Sequence, residues 1–413
     1  MILMKRPEIL SPAGNLEKMK SAILYGADAV YLSGKIFGMR AAADNFSLEE
    51  MAEAVAYAHE RGVKVYLTLN TMPRESEYEL LRNYLKSLVS IPIDAMIIGD
   101  IGVFALVREM LPNMEIHVST QANAVSSADC LAWYRLGAKR VVLARELTLE
   151  EIKVIRANIP DDLEIECFIH GSMCISYSGR CLLSGHIIDR DGNRGMCAQP
   201  CRWNYKVRRL EIAEEKRPDF VMPIEEHAGE TFIMASRDTC TIEHIPELIE
   251  AGINSFKIEG RMKSAYYAAV VTNTYKMAVD SYFSGKYEYN PLWYRELLSV
   301  SHRSYATGYY FSNSFLDPNT VEDNGYIKDK AYLSVALDYD EESGEAIMSQ
   351  RNKMKLGEKI EVLTPGRVGR SIEITALYNE DREPIDATPH PYMTFRAKTS
   401  EPLSAGDIIR AAD

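Results

Sequence analysis

Up to about residue 270, the chain alternates short apolar runs with amphipathic helical patterns, and Gly, Pro or a polar capping residue stands at the switches. Runs such as Val141–Leu143 are apolar throughout, which is typical of parallel strands covered on both faces. The pattern predicts eight strands: Glu8–Leu10, Ala29–Leu32, Val63–Leu69, Ala95–Ile98, Glu115–Ser119, Arg140–Leu143, Leu163–Ile169 and Ser255–Ile258.

Two of the helical segments carry a signal for where they begin. Ser47 is followed three residues later by Glu50, and Thr148 is followed in the same way by Glu151. Each pair can form a capping box, in which both side chains bond backbone N–H groups of the first turn. Eight strand-then-helix units predict an α/β fold, a (β/α)8 TIM-like barrel. A six-stranded doubly wound sheet is the weaker alternative.

The alternation fails after the seventh predicted strand and resumes with the apolar run Thr231–Ser236. An insertion of this length is usually functional. From Ala331 onwards the period becomes two, which predicts a small all-β barrel or sandwich. We expect a catalytic barrel at residues 1–285 with a cysteine-rich insertion at 171–230, a connecting segment at 286–330 and a C-terminal β-domain at 331–413.

Composition and charge narrow the class of protein. The chain has 413 residues, of which 46% are hydrophobic and 26% charged, as in ordinary globular proteins. Its net charge of −12 excludes a general polyanion binder, so any RNA contact needs a local basic patch. Lys5 and Arg6 interrupt the N-terminus, and no apolar run approaches the length of a membrane helix. These features predict a cytoplasmic protein.

Five of the seven cysteines lie between residues 167 and 201. Cys174, Cys181, Cys197 and Cys201 follow the spacing C-x6-C-x15-C-x3-C. Four converging thiolates can hold a 4Fe-4S cluster or a zinc ion. Structural zinc sites more often use C-x2-C knuckles, so the wider spacings favour iron and sulfur.

Other cysteine assignments remain open at this point. Cys240 follows the extra apolar run and competes with Cys201 for the fourth ligand position. Cys167 and Cys130 are expected in the core. The alternative for all the clustered cysteines is that they are buried as small apolar residues and bind no metal. The insertion starts where the seventh strand ends, and loops at that end of a barrel build the active site.

Polar residues at or near the carboxyl ends of the predicted strands are the candidate site. Such residues converge on one mouth, although internal salt bridges are the alternative, especially for Lys257 and Glu259. Glu8 and Glu146 are placed there too. The expected catalytic residues are Glu259, Arg261, Lys257 and Arg145, and the expected substrate-binding residues are Arg40, Asn70, Gln121 and Asn123.

The insertion also carries the local basic patch. Residues 190–209 contain six Lys or Arg residues against one acid, with Trp203 and Tyr205 among them. Cations and aromatic rings together suit phosphate contact and base stacking, although a solvated surface strand is the alternative. We expect RNA contacts from Arg202, Trp203, Arg208 and Arg209, and the segment Ser301–Arg303 could extend this face.

The segment Glu166–Cys174, with Gly179 and Cys181 in step, resembles the signature of peptidase family U32, the collagenase-like proteins. The resemblance extends over nearly the whole chain, and its length and C-terminal β-domain are most similar to the branch of the family that hydroxylates tRNA. Further matching segments are Leu10–Gly14, Tyr25–Tyr31, Thr120–Asn123, Phe256–Ser264 and Ser301–Tyr309.

That resemblance implies a 4Fe-4S enzyme that converts the wobble uridine of tRNA to 5-hydroxyuridine with prephenate as co-substrate. Such a dicarboxylate would need cationic partners, which Arg40, Arg145 and Arg261 could supply. Related branches act on ribosomal RNA or on quinone precursors, so the resemblance leaves the substrate open.

The family name also implies proteolysis, which is the alternative activity. The chain contains neither H-E-x-x-H nor G-x-S-x-G. A cysteine protease needs one activated thiolate beside a histidine, and His170 and His186 do lie near the cysteines in sequence. Clustered thiols are nevertheless poorly suited to a single nucleophile, because they compete for oxidation and metal. A non-catalytic, cluster-bearing RNA-binding module is a third possibility.

Overall fold

The computed structural model describes residues 5–40, 43–174, 176–203, 213–214, 217–221, 226–227, 230–231, 236–312, 327 and 330–412. Its first seven strands lie side by side in chain order, and all are parallel. They are β1 (Glu8–Pro12), β2 (Ala29–Leu32), β3 (Lys64–Leu69), β4 (Ala95–Ile98), β5 (Glu115–Val118), β6 (Arg140–Val142) and β7 (Glu164–Ser172).

Helices connect these strands and cover the outside of the sheet. Both predicted capping boxes are present, since Ser47 accepts from the Glu50 N–H at 3.1 Å and Thr148 from the Glu151 N–H at 3.3 Å. The helices are α1 (Leu16–Leu24), α2 (Leu48–His59), α3 (Tyr78–Leu88), α4 (Ile101–Met110), α5 (Ser127–Arg135) and α6 (Leu149–Ala157).

The segment after β7 leaves the barrel and returns to it. It contains α7 (Leu183–Ile188) and the short strands β8 (Ala213–Glu214), β9 (Arg217–Val221), β10 (Glu226–His227) and β11 (Glu230–Thr231). β12 (Asp238–Cys240) then pairs antiparallel with the end of β7, so that Cys240 lies opposite His170. The predicted insertion after the seventh strand is therefore confirmed.

The eighth barrel strand closes the sheet. After α8 (Ile245–Glu250), β13 (Ser255–Ile258) pairs in parallel with both β7 and β1. The (β/α)8 prediction is confirmed, and the doubly wound alternative is wrong. The chain continues through α9 (Ala265–Phe283), α10 (Pro291–Leu298) and β14 (Tyr305–Ala306), which pairs with β12.

The C-terminal strands form one seven-stranded antiparallel sheet in the order β18-β17-β21-β15-β16-β20-β19. Its edge strands β18 and β19 are separated by Glu373 alone, so the sheet curves into a half-barrel and does not stack as two layers. The strands are β15 (Tyr332–Asp340), β16 (Glu345–Gln350), β17 (Ile360–Leu363), β18 (Arg370–Ile372), β19 (Ile374–Tyr378), β20 (Thr394–Thr399) and β21 (Ile408–Ala411).

Buried polar contacts fix the half-barrel against the outside of the (β/α)8 barrel. Arg410 of β21 is 2% exposed, and its guanidinium lies 2.6 Å from Glu296 of α10 and 2.8 Å from Glu361 of β17. The Tyr25 hydroxyl at the end of α1 donates to the carbonyl of Leu363 at 2.8 Å. Breaking a buried pair of this kind is strongly destabilising, so these contacts hold the two parts in one arrangement. Among the described residues, no helix is long and apolar enough to cross a membrane.

Candidate functional site

A cavity opens at the carboxyl ends of the barrel strands. This is the end at which barrels of this type bind substrates. The side chains around it come from β2, β3, β4, β7 and β13 and from the loops after β2, β3, β5, β6 and β13. They are Tyr31, Met39, Arg40, Thr68, Asn70, Ile97, Ser119, Thr120, Gln121, Arg145, Phe168, Lys257, Glu259 and Arg261. We call this space the inner cavity.

The structure places most of the predicted site residues around the inner cavity. Seven of them line it: Arg40, Asn70, Gln121, Arg145, Lys257, Glu259 and Arg261. Asn123 does not line it, because its side-chain amide donates to the carbonyl of Ser178 at 3.0 Å and holds the insertion instead. Glu146 has a similar role, since its carboxylate accepts from the backbone N–H of Ser178 at 2.8 Å.

The placement of Glu8 at the mouth is wrong. Glu8 is the first residue of β1 and therefore lies at the opposite end of the barrel. Its carboxylate accepts from Tyr66 at 2.6 Å and from Arg140 at 2.7 Å. A residue that opens a strand cannot share the mouth with residues that close one, so Glu8 belongs to an internal ion pair.

Arg261 is the residue of the inner cavity best prepared for an anion. Its side chain is 3% exposed, and burial lowers the pKa of the guanidinium to about 10, so it stays charged at neutral pH. One terminal nitrogen donates to the carbonyl of Met39, whereas the other, Nη1, has no hydrogen-bond partner among the described residues. An unpartnered buried donor is costly, and an anionic ligand would satisfy it.

Two further arginines lie beside Arg261. Arg40 holds a left-handed backbone conformation with φ of 72°, and its Nε lies 3.8 Å from the Glu259 carboxylate. Arg145 donates to the carbonyl of Ser172 at 2.8 Å and lies over the ring of Phe168 at 4.6 Å. Three guanidinium groups around one cavity suit a small ligand with more than one carboxylate.

Lys257 forms the floor of the cavity as part of an ion-pair network. Its Nζ lies 2.6 Å from the carboxylate of Glu166, which Arg140 also contacts at 3.1 Å. Burial lowers the pKa of Lys257, and Glu166 opposes that shift. Burial alone would raise the pKa of Glu166, but the two cations bring it down to about 2. The salt-bridge interpretation therefore holds for Lys257, which still lines the cavity between Tyr31 and Phe168.

A second space, which we call the outer chamber, adjoins the inner cavity and measures about 280 Å³. Arg40 and Glu259 line both spaces and form their shared wall. The other residues around the outer chamber are Ser172, Gln199, Met262, Lys263 and Ser301. Gln199 lies between Cys197 and Cys201, so the cysteine loop itself forms part of this chamber.

Two glycines let the cysteine-rich segment approach the barrel mouth. Gly195 has φ of 86°, and a Cβ there would lie 2.8 Å from the carbonyl oxygen of Gly38. Gly179 has φ of 72°, and a Cβ there would lie 2.2 Å from the carbonyl oxygen of Gln121. Both positions therefore require glycine for the backbone conformation and for the close contact.

The cysteines divide into a buried and an accessible group. Cys130, Cys167 and Cys240 are buried, and burial raises the pKa of all three thiols. Cys240 lies in the core with its Sγ 3.9 Å from the Tyr275 hydroxyl, and its pKa rises to about 12. The accessible group contains Cys174, Cys181, Cys197 and Cys201.

The accessible cysteines fit the donor chemistry of a 4Fe-4S cluster but are not gathered around one point. The backbone N–H of Gln199 donates to Cys197 Sγ at 3.3 Å, and the Asn193 amide donates to the carbonyl of Cys181 at 2.9 Å. In the described part of the chain, no three His, Cys, Asp or Glu side chains are arranged to hold a metal ion. Binding through all four thiols therefore requires this segment to tighten.

Of the two histidines near the cysteines in sequence, His170 is in the core, and the side chain of His186 lies outside the described residues. His170 is 1% exposed, and its ring contacts the hydroxyls of Tyr275 at 3.3 Å and Tyr305 at 3.5 Å. Burial lowers the pKa of His170 to about 3, so the imidazole is neutral at ordinary pH. This environment does not match the base of a cysteine protease, which activates an accessible thiol.

The structure describes only the first part of the predicted basic patch. Arg190 is exposed, and Arg194 pairs with Glu77. Trp203 is 37% exposed, and its Nε1 donates to the carbonyl of Ala198 at 3.1 Å. The side chain of Arg202, all of Tyr205, Lys206, Arg208 and Arg209, and most of the run at 231–236 lie outside the described residues.

The segment Ser301–Arg303 does not extend that patch. Arg303 is 2% exposed, and its guanidinium bonds Asp238 at 2.7 and 3.1 Å. His302 is buried and stacks on Tyr305 with ring centroids 4.3 Å apart. Both side chains stabilise the packing of β12 and β14, although Ser301 itself borders the outer chamber.

Comparison with known proteins places the chain among characterised relatives. It is 36% identical over 411 residues to tRNA hydroxylation protein P1 of Bacillus subtilis, and the matched region covers 99% of this chain and 96% of that protein. It is 35% identical to tRNA hydroxylation protein P of Escherichia coli, over 90% of this chain and 89% of that protein. It is also 32% identical to a collagenase of Porphyromonas gingivalis, over 87% of this chain and 86% of the relative.

Two family models match in succession along the chain. Residues 14–317 match peptidase family U32, and residues 328–410 match the peptidase family U32 C-terminal domain. The first match contains the barrel with its cysteine-rich insertion, and the second contains the half-barrel. The chain therefore belongs to peptidase family U32.

Proposed function

We propose that this protein hydroxylates tRNA, forming 5-hydroxyuridine at the wobble position in a prephenate-dependent reaction that uses a 4Fe-4S cluster. The relationship to tRNA hydroxylation proteins over nearly the whole chain supports the reaction class. The observation that carries the proposal is the unpartnered, buried Nη1 of Arg261 in a three-arginine cavity next to the cysteine loop.

In this proposal the inner cavity binds the dicarboxylate co-substrate. Arg261 donates to one carboxylate through Nη1, and Arg40 and Arg145 neutralise the remaining charge. The rings of Tyr31 and Phe168 give the cavity an apolar wall against which a six-membered ring can lie. The Lys257–Glu166 pair keeps the floor polar and excludes a purely apolar ligand.

Cys174, Cys181, Cys197 and Cys201 would hold the cluster, which supplies one-electron chemistry beside the substrate when bound. Cys201 is preferred to Cys240 because it is tethered only four residues from Cys197, so closing that loop costs little entropy. Cys240, in contrast, is part of a buried strand. Arg202, Trp203, Arg208 and Arg209 would contact the anticodon arm, where unstacked bases and phosphates lie close together.

Anaerobic reconstitution tests this function. Purified protein, tRNA and prephenate should yield 5-hydroxyuridine in nuclease digests, and omission of prephenate should abolish the product. A product from ribosomal RNA or from a quinone precursor, but not from tRNA, would move the activity to another branch of the family. Gelatin cleavage by iron-free protein, abolished by one cysteine substitution, would favour the peptidase.

A further inference from the structure

The outer chamber has no role in the co-substrate site, and its lining differs from that of the inner cavity. The inner cavity has two aromatic rings and three arginines, whereas the outer chamber, apart from the shared Arg40 and Glu259, is bordered by an amide, two serine hydroxyls, a lysine and a methionine. Met262 at its edge is 45% exposed, so the chamber opens to solvent. A group that remains attached to a large polymer can enter only from such an open side.

The size and the polar groups of the chamber suit one flipped-out pyrimidine base. Its volume of about 280 Å³ lies close to the lower end of the usual range for small-molecule sites. Enzymes that act on a base in RNA or DNA extrude it into a pocket and read its hydrogen-bonding edge. A glutamine amide can bond the N3–H and an adjacent carbonyl of uracil together, because it carries a donor and an acceptor side by side.

Lys263 gives the chamber a preference between pyrimidines. Its ammonium donates to the carbonyl of Ser301 at 2.8 Å, which fixes it at the chamber wall. An ammonium group can only donate hydrogen bonds. It therefore favours the O4 carbonyl of uracil over the N4 amino group of cytosine.

The shared wall is formed by an ion pair. Arg40 Nε lies 3.8 Å from the Glu259 carboxylate, and both side chains border the two spaces. Arg40 and Gln199 both hold left-handed backbone conformations, with φ of 72° and 58°. Strain of this kind in non-glycine residues clusters at ligand sites.

We propose that the outer chamber is the nucleobase site, in which Gln199 and Lys263 bind the uracil edge while the co-substrate occupies the inner cavity across the Arg40–Glu259 wall. This inference rests on the proposed function, since it needs an RNA substrate. It adds the position of the target base and the residues that select it. The target base and the co-substrate would then lie on the two sides of the same wall.

The experiment measures insertion of the target base into the outer chamber in the absence of the reaction. An anticodon-arm hairpin carries 2-aminopurine next to the target uridine, and its fluorescence should rise several-fold when holoprotein without prephenate extracts the uridine. Ser301→Phe, which fills the chamber, and Gln199→Ala should abolish the rise. Arg261→Met should keep the rise and lose prephenate binding. Lys263→Gln should give a rise with a hairpin that carries cytidine at the target, because glutamine can also accept from N4.

The outcomes separate this inference from the proposed function. A wild-type protein that neither binds the hairpin nor modifies tRNA overturns the proposed function. A wild-type protein that modifies tRNA while Ser301→Phe and Gln199→Ala insert the base normally overturns the nucleobase site alone. Iron is measured in every variant, and if Gln199→Ala loses iron because of its place in the cysteine loop, Ser301→Phe and Lys263→Gln decide.

Discussion

Replacing Arg261 by methionine separates a ligand-binding arginine from a structural one. The guanidinium of Arg261 is 3% exposed, and its Nη1 has no partner in the part of the chain that the structure describes. A structural buried arginine would stabilise the free protein, whereas this one carries a desolvation cost that a ligand would offset. Arg261→Met should therefore leave the free energy of unfolding unchanged or raised, because relief of the buried charge opposes loss of the bond to Met39.

The effect on ligand affinity follows from the missing hydrogen bond. A hydrogen bond to a charged group contributes about 1.5–3 kcal/mol, so the dissociation constant for prephenate should rise roughly 10- to 150-fold. Isothermal titration calorimetry measures the affinity, and urea unfolding measures the stability. Both use the full chain under the same buffer conditions.

Arg303 supplies the matched control. It is buried to the same degree, and among the described residues its Nη1 also has no hydrogen-bond partner, but its Nε and Nη2 are paired with the Asp238 carboxylate at 3.1 and 2.7 Å, whereas Arg261 bonds only a backbone carbonyl. Arg303→Met should cost about 3–5 kcal/mol of stability, because it leaves Asp238 buried and unpaired, and should leave prephenate affinity unchanged in the folded fraction. A large stability loss in Arg261→Met with unchanged prephenate affinity would refute the ligand-binding role.

Three further predictions concern the cysteines, the core and RNA. Protein purified without air should carry close to four irons per chain, as a 4Fe-4S cluster requires. Cys201→Ser should lose this iron, and Cys240→Ser should retain most of it. The reverse pattern would identify Cys240 as the fourth ligand in place of Cys201. Burial lowers the pKa of His170 to about 3 from 6.5, so stability is fully present above pH 6.5 and falls as the pH drops towards 3. His170→Phe should remove up to about 1.4 kcal/mol per pH unit from that slope in urea titrations, and an unchanged slope would contradict the burial argument. Reversing Arg208 and Arg209 to Glu should weaken tRNA binding and lower its salt dependence by about one unit of slope for each phosphate that the variant no longer binds, without loss of iron; a parallel loss of iron would indicate misfolding.

The period of the apolar residues was sufficient to predict the barrel. Its eight strands are buried on both faces, so their sequences are apolar throughout and their ends are marked by turns and caps. The period of two predicted the all-β class of the C-terminal part, and β16, in which buried and half-buried residues alternate, carries that pattern.

The same logic explains which site residues could be predicted. Arg145, Lys257 and Arg261 follow from the rule that the carboxyl ends of parallel strands meet at one mouth. Gln199 and Ser301 could not be found in this way. They reach the outer chamber from the insertion and from the loop before β14, and their position depends on the antiparallel β12, which has no counterpart in the repeating pattern.

The central claim is that the chain hydroxylates tRNA, and nucleoside mass spectrometry of total tRNA from a deletion strain tests it most directly. The strain should lack 5-hydroxyuridine and its derivatives. The wild-type gene should restore them, and a gene carrying Cys174→Ser should not. Full levels of these nucleosides in the deletion strain, with no paralogue that accounts for them, would contradict the claim.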